Sequence, residues 1–344
     1  MAAGPSTVRC GGKVFRVQGS IAVRRRTYLL LQLLSRRGRG TVTLGDIESG
    51  CDERWLVVDA RRQALDHLRS LQVLPERLSR QRLRVLQRLT DANPFAAGII
   101  DYECRRHVTL IVSQWIPGQP LSEWLRRQSA NPRRISLYEA LRLYGGLVRS
   151  VSGFHRTTGL VHGDIHPDNF VVGSRTKWLI PIDCGSAWRS LDAVRERQTQ
   201  GFRALWAAPE INRGELGDLR SDQFSTTLLL FVMLVGELPF DRLGGRVGCF
   251  SDSAAEPFWE PPIDVIARLH PLTKRASWAF NEILEHSLAV EPGQRFATDA
   301  AWLSATDQLI NRIKANRRDG SLLDRLLTRL GRAKRQRDEN GPLD

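Results

Sequence analysis

Residues 160–170 read LVHGDIHPDNF. Two histidines, two aspartates and an asparagine crowd a short polar run that apolar residues bracket on both sides. Asp164 and Asn169 stand five residues apart. Just beyond, KWLIPID (177–183) is a second apolar run that closes on an acid, Asp183. A hairpin pairing NFVV (169–172) with KWLIPI (177–182) would bring Asp183 beside Asn169.

That juxtaposition has a chemistry. A carboxylate and a carboxamide form an oxygen-ligand set suited to Mg²⁺, which takes few protein ligands and completes its shell with phosphate and water. Asp164 would remain available to accept a proton from an incoming hydroxyl. A metal clamp and a base that positions a nucleophile are the parts of phosphoryl transfer. Such chemistry rests on positioning and charge neutralisation more than on covalent catalysis.

Further motifs follow in register. HGDIHPDN resembles the catalytic loop H-R-D-x-K-x-x-N of eukaryotic-like (Hanks-type) protein kinases, serine/threonine type. DCG (183–185) resembles D-F-G, and APE (208–210) is intact. LRSDQFSTTLLLFVMLVGELPF resembles the buried helix that follows the activation segment, headed by Asp222. EPGQRFAT resembles the late arginine motif, and IVSQWIPGQPLSEWL the last N-lobe strand and hinge. The match runs over roughly residues 105–305. The resemblance implies an α+β, bilobal protein-kinase-like fold, with a small β-rich N-lobe and a larger helical C-lobe. It implies ATP and Mg²⁺ as cofactors, Asp164 as base, and Asn169 and Asp183 as metal ligands. His166 falls where a lysine would touch the γ-phosphate. Ser113 becomes a small gatekeeper, while Gln114 to Ile116 lend backbone groups to adenine. Glu210, Asp222 and Arg295 become structural: an Arg295–Glu210 ion pair and an aspartate strut under the catalytic loop.

The N-lobe departs from the pattern. Protein kinases hold the α- and β-phosphates with a strand lysine paired to a helix glutamate. This chain has no lysine from 14 to 176. Two registers are open. In the preferred one LGDIESG (44–50) is a worn glycine-rich loop with Gly45 and Gly50 as its outer glycines. LRSLQVLP is then the lysine strand with Gln72 in the lysine's place, and Arg84 falls near the usual glutamate. In the other, RGRGTV is the loop and Asp59 stands at the lysine position. An arginine can substitute for the missing charge, with a different fork geometry. In the C-lobe, Gly163 replaces the arginine before the base. Arg203 sits near the place of the threonine expected ahead of APE.

The bulk properties are those of a globular chain. Of 344 residues, 42% are hydrophobic and 26% charged, and the net charge of +14 points to contact with something acidic. Five scattered cysteines without a C-x-x-C pair indicate neither a disulfide framework nor a zinc site. No apolar leader and no membrane-length run is visible; TTLLLFVMLVG (226–236) reads as a core helix, and a cytoplasmic location is expected. The expected layout is a basic extension over 1–40, an N-lobe over 41–116, a C-lobe over 117–312 and a basic tail over 313–344. In the tail, Leu322, Leu323, Leu326, Leu327 and Leu330 stripe an amphipathic helix suited to an anionic membrane surface or an acidic partner. No nucleic-acid module is present.

Three functions remain open. The first is an ATP-dependent protein kinase acting on a protein hydroxyl. The second is a pseudokinase, a binding or scaffold protein that the absent lysine–glutamate pair favours. The third is a small-molecule phosphotransferase of the aminoglycoside or choline kinase type, whose loop H-G-D-x-H-P-x-N also resembles. Those enzymes generally lack the APE segment and the Asp222-type helix. An acid-walled cavity between Asp164 and residues 240–262 would mark that third reading.

Overall fold

Successive side chains of a strand point to opposite faces, so the unbroken apolar run WLVV (55–58) in DERWLVVD, and Leu68 and Leu71 of LRSLQVL, put apolar side chains on both faces, and both faces must be covered. The computed structural model describes residues 7–10, 12–37, 52–63, 67–75, 77–79, 83–84, 87, 97–129, 135–174, 178–183, 204–249, 260–270 and 272–315. These fall into two compact units. The first lies within Met1–Pro120, Gly153–Gly159 and Asp168–Ser186, the second within Leu121–Ser152, Leu160–Pro167 and Ala187–Asp344.

In the first unit β1 (Thr7–Cys10) and β2 (Lys13–Arg16) form an antiparallel hairpin. Strands β3 (Gly19–Val23), β4 (Arg26–Arg37), β5 (Asp52–Asp59), β6 (Leu68–Leu74), β7 (Ile99–Cys104) and β8 (Thr109–Gln114) build an antiparallel sheet in the order β3-β4-β5-β6-β8-β7. Tyr28, Leu30, Trp55, Val57, Leu71, Val73, Leu110 and Val112 cluster on one face. Leu29, Leu31, Leu56, Val58 and Leu68 cluster on the other, together with Val8 and Cys10 from the hairpin, and Trp115 packs against them.

The sheet therefore begins well upstream of residue 41. The segment expected to be a basic extension supplies four strands. Its arginine cluster at 24–26 is a tight turn: Val23 pairs with Arg26, leaving Arg24 and Arg25 at the tip. Arg24, at φ +50°, stacks its guanidinium 4.2 Å from the Tyr102 ring centroid, and its amide donates to Glu103 at 2.6 Å.

A second, three-stranded sheet belongs to the same unit. β9 (Gly118–Pro120), β10 (Phe170–Gly173) and β11 (Leu179–Pro181) run in the order β11-β10-β9. Gly118 is required there: a Cβ would lie 2.3 Å from the Val172 carbonyl oxygen.

The second unit is helical. It holds α1 (Leu121–Ser129), most of α2 (Leu137–Thr158), α3 (Pro209–Asn212), α4 (Leu219–Val235), α5 (Pro262–Leu269), α6 (Lys274–Ser287) and α7 over 299–315. Ser136 starts α2 by accepting from the Glu139 amide at 3.3 Å. The apolar run of α4 is buried from Ser221 to Leu234. Its start carries a capping box between Asp218 and Ser221, and Gly236 at φ +93° ends it. Burial alone would raise the Asp218 carboxyl; the Arg220 guanidinium and amide outweigh it and hold it below its ordinary value. Tyr144 links three helices, with its hydroxyl 3.0 Å from Thr227 Oγ1 and accepting from Trp302 Nε1 at 3.0 Å. Among the described residues no helix is long and apolar enough to cross a membrane. The tail stripe of leucines lies outside the described residues.

Candidate active site

In the second unit, LVHGDIHP forms an irregular loop between α2 and a 3-10 turn (Pro167–Asn169). The loop hangs on α4. Asp222, buried in the first turn of that helix, accepts from the His162 amide at 2.6 Å and the Gly163 amide at 3.0 Å. Gly163 has φ +72°, a left-handed conformation that costs an L side chain about 1–2 kcal/mol. Gly163→Ala is therefore expected to lower the unfolding free energy by about 1 kcal/mol in urea denaturation. Gly153→Ala, mid-helix in α2 where a Cβ meets nothing within 4 Å, should raise it by about 0.5–1 kcal/mol. Equal effects at both sites would overturn this account. The loop also holds Asp164 beside His166: His166 Nε2 lies 3.3 Å from Asp164 Oδ1, with the imidazole fully buried and the carboxylate 16% exposed. A buried imidazole at that distance restricts the rotamers of the acid.

The first unit carries the other acid. Strands β10 and β11 pair Phe170 with Pro181, and the Ile182 amide donates to the Asn169 carbonyl at 2.9 Å. Residues 169 and 183 are thereby neighbours at one end of the hairpin. The Asp183 carboxylate is met by two side chains from the large sheet. Arg54 of β5 donates through Nη2 to Oδ2, and Gln72 Nε2 of β6 reaches the same oxygen at 3.3 Å. Arg54 and Gln72 are direct partners across the β5–β6 ladder. Cross-strand partners share a face, which explains why both reach one carboxylate. The Arg54 and Asp183 side chains are only 9% and 12% exposed.

Gln72 thus sits on the strand expected to carry the lysine. Asp59 lies at the far end of β5, where it accepts from the Arg61 amide at 2.9 Å in the following turn. Arg84 is exposed. Gly45, Gly50, Cys184 and Arg203 lie outside the described residues. Gln114 is exposed at the end of β8, its amide donating to the Gly98 carbonyl at 2.8 Å; Ile116 is half-buried, and Ser113 pairs with Ser70. Arg54 is the residue that sequence reasoning missed. A single charge in an alternating strand carries no sign of what it faces.

Arg295 and Glu210 form a buried pair in the second unit, with side chains 0% and 1% exposed. The guanidinium meets both carboxylate oxygens at 2.8 and 2.7 Å, and the carbonyls of Arg220, Val290 and Ala289 at 3.1, 3.1 and 2.9 Å. All five N–H groups of the fork are used. Ser221 Oγ adds a further bond to Glu210 at 2.6 Å.

A cavity of about 420 Å³ in the second unit is walled by Phe231, Leu238, Phe240 and Val265, with Glu237 and Glu260 among its acids. Those acids pair with Arg242 and Arg268, and Asp164 does not line the cavity. It is not the acid-walled chamber beside Asp164 that the small-molecule reading asks for.

The protein kinase domain profile matches residues 76–304. The chain belongs to the protein kinase family. Relatives of this kinase domain include ribosomal protein S6 kinase alpha-4 of Mus musculus, 29% identical over 184 residues, covering 52% of this chain and 23% of that protein. Serine/threonine-protein kinase Pkn1 of Myxococcus xanthus is 24% identical over 311 residues, 88% of this chain and 41% of that protein. The kinase domain spans about a quarter of the length of the first of these relatives. Among solved structures, the PknI kinase domain of Mycobacterium tuberculosis aligns with TM-score 0.54 at 18% identity, covering 84% of this chain and 97% of that one. The Cydia pomonella granulovirus kinase PK-1 aligns with TM-score 0.58 at 14% identity, covering 80% and 92%. The fold is accordingly the α+β kinase fold, a β-sheet N-terminal region followed by a helical C-terminal one.

Proposed function

We propose that this kinase domain transfers the γ-phosphoryl group of Mg·ATP to a serine or threonine hydroxyl of a protein. The adjacency of Asn169 and Asp183 at the end of the β10–β11 hairpin carries the reading. It offers one carboxylate and one carboxamide oxygen, a donor set that fits Mg²⁺ sharing its remaining shell with phosphates. The chemistry such an ion would supply is neutralisation of the charge that develops on the phosphates during transfer. Asn169 and Asp183 would hold it. Asp164 orients the attacking hydroxyl and accepts its proton, and buried His166 fixes the rotamer of Asp164. Gln114 and Ile116 would lend backbone groups to the adenine ring, with Ser113 as a small gatekeeper. The serine/threonine kinases among the relatives support the substrate class.

A second reading, a binding protein without turnover, is favoured by one observation: Arg54 already engages Asp183. Thermal unfolding separates the two. Mg·ATP at 100-fold excess over its Kd should stabilise the chain by about 2.7 kcal/mol. That gain should vanish without Mg²⁺ and in Asp183→Ala, and labelled phosphate should pass to a generic protein acceptor. A folded chain that gains nothing from Mg·ATP and transfers nothing would establish the second reading instead.

A further inference from the structure

We propose that Arg54 is the phosphate-binding cation of this site, delivered from the strand beside the one that normally carries a lysine; this rests on the kinase reading above. Four observations lead to it. The chain has no lysine from 14 to 176, so no register of β6 supplies one. Gln72, on that strand, has no charge to offer. Arg54 stands directly opposite Gln72 in the ladder, on the same face, and both reach Asp183 Oδ2. The longer arginine side chain thus spans one strand spacing, about 5 Å, and brings its charge to the same carboxylate.

The fourth observation is burial. A guanidinium that is 9% exposed needs an anion in contact with it. In the structure that anion is Asp183. Once Asp183 is committed to a divalent cation, Arg54 faces like charge and must find another acceptor. Phosphate oxygens, brought in with the same cation, are that acceptor, and the planar fork takes two of them at once. The Arg54–Asp183 pair is then the resting state of the site. Nucleotide exchanges one anionic partner of Arg54 for another and leaves no buried charge unpaired. Gln72, neutral and opposite, remains as a hydrogen-bond donor to Asp183 in both states.

The full chain decides this by calorimetric titration with Mg·ATP and, separately, with adenosine, which lacks phosphates. Arg54→Ala is expected to weaken Mg·ATP at least tenfold and to leave adenosine within about twofold. Arg54→Gln, which keeps a donor near Asp183 and guards against misfolding, should behave like Arg54→Ala. Arg54→Lys should retain most of the affinity. The double variant Arg54→Ala with Gln72→Lys, which returns a cation from the neighbouring strand, should recover at least half of the lost factor. Unchanged or tighter Mg·ATP binding in both Arg54→Ala and Arg54→Gln would overturn the proposal and make Arg54 a latch on Asp183. Wild-type protein that binds adenosine but gains nothing from phosphates would also overturn it. Wild-type protein that binds neither ligand would sink the kinase reading itself, a distinct result.

Discussion

Asp164→Asn is expected to slow phosphoryl transfer by about 10²–10⁴-fold while leaving Mg·ATP affinity within about threefold. General-base and positioning groups contribute to the reaction on that scale. The asparagine keeps shape and the neighbouring His166 Nε2, 3.3 Å from the carboxylate, but loses the negative charge proposed to accept the hydroxyl proton. Asp183→Ala should differ in kind, since it removes a proposed metal ligand and is expected to lose nucleotide affinity and turnover together. Initial rates over a range of Mg·ATP, with protein acceptor in excess, separate the two: Asp164→Asn lowers kcat with KM held, whereas Asp183→Ala raises KM as well. Full activity in Asp164→Asn would remove this loop from the mechanism. The rate is also expected to be insensitive to an exposed pair such as Arg242–Glu237, whose side chains are 78% and 49% exposed.

Arg295→Ala is expected to cost about 3–5 kcal/mol of stability, because it strands a buried carboxylate. Glu210 would keep the Ser221 hydroxyl as a donor, and the carbonyls of Arg220, Val290 and Ala289 would each lose the Arg295 N–H they accept from. Glu210→Ala should cost a similar amount by leaving the guanidinium unpaired. The double substitution should cost clearly less than the two singles together, since each single already destroys the same pair. Urea midpoints of the three variants test this. An exposed-pair control, Arg242→Ala, should stay within about 0.5 kcal/mol. Additive losses would mean that the pair is not the unit of stabilisation.

Much of the catalytic segment was legible because its parts are local. Asp164, Asn169 and Asp183 lie within one stretch of chain, and two short apolar runs around a turn dictate the hairpin that joins the last two. The α4 helix was legible for another reason: an unbroken apolar run too short for a membrane has to be a core element. Arg295 and Glu210 are 85 residues apart, and only the resemblance paired them. The first forty residues were misread as an extension. Register shifts between Leu30 and Gln32 and between Leu33 and Ser35 break the period of β4, and the arginines that looked like a charged tail stand at a turn.

Sequence alone determined the groups available here: oxygen donors at Asn169 and Asp183, a further carboxylate at Asp164, and no lysine from 14 to 176. Tertiary structure alone decided that Arg54 stands against Asp183. Arg54 and Asp183 are 129 residues apart. Nothing local in DERWLVVD distinguishes an arginine that faces solvent from one that faces an acid. The pairing of β5 with β6 sets which face Arg54 shares with Gln72, and the β10–β11 hairpin delivers the carboxylate to that face. Register and long-range packing are collective properties of the sheet, so the role of one charged residue emerges only when the strands have met.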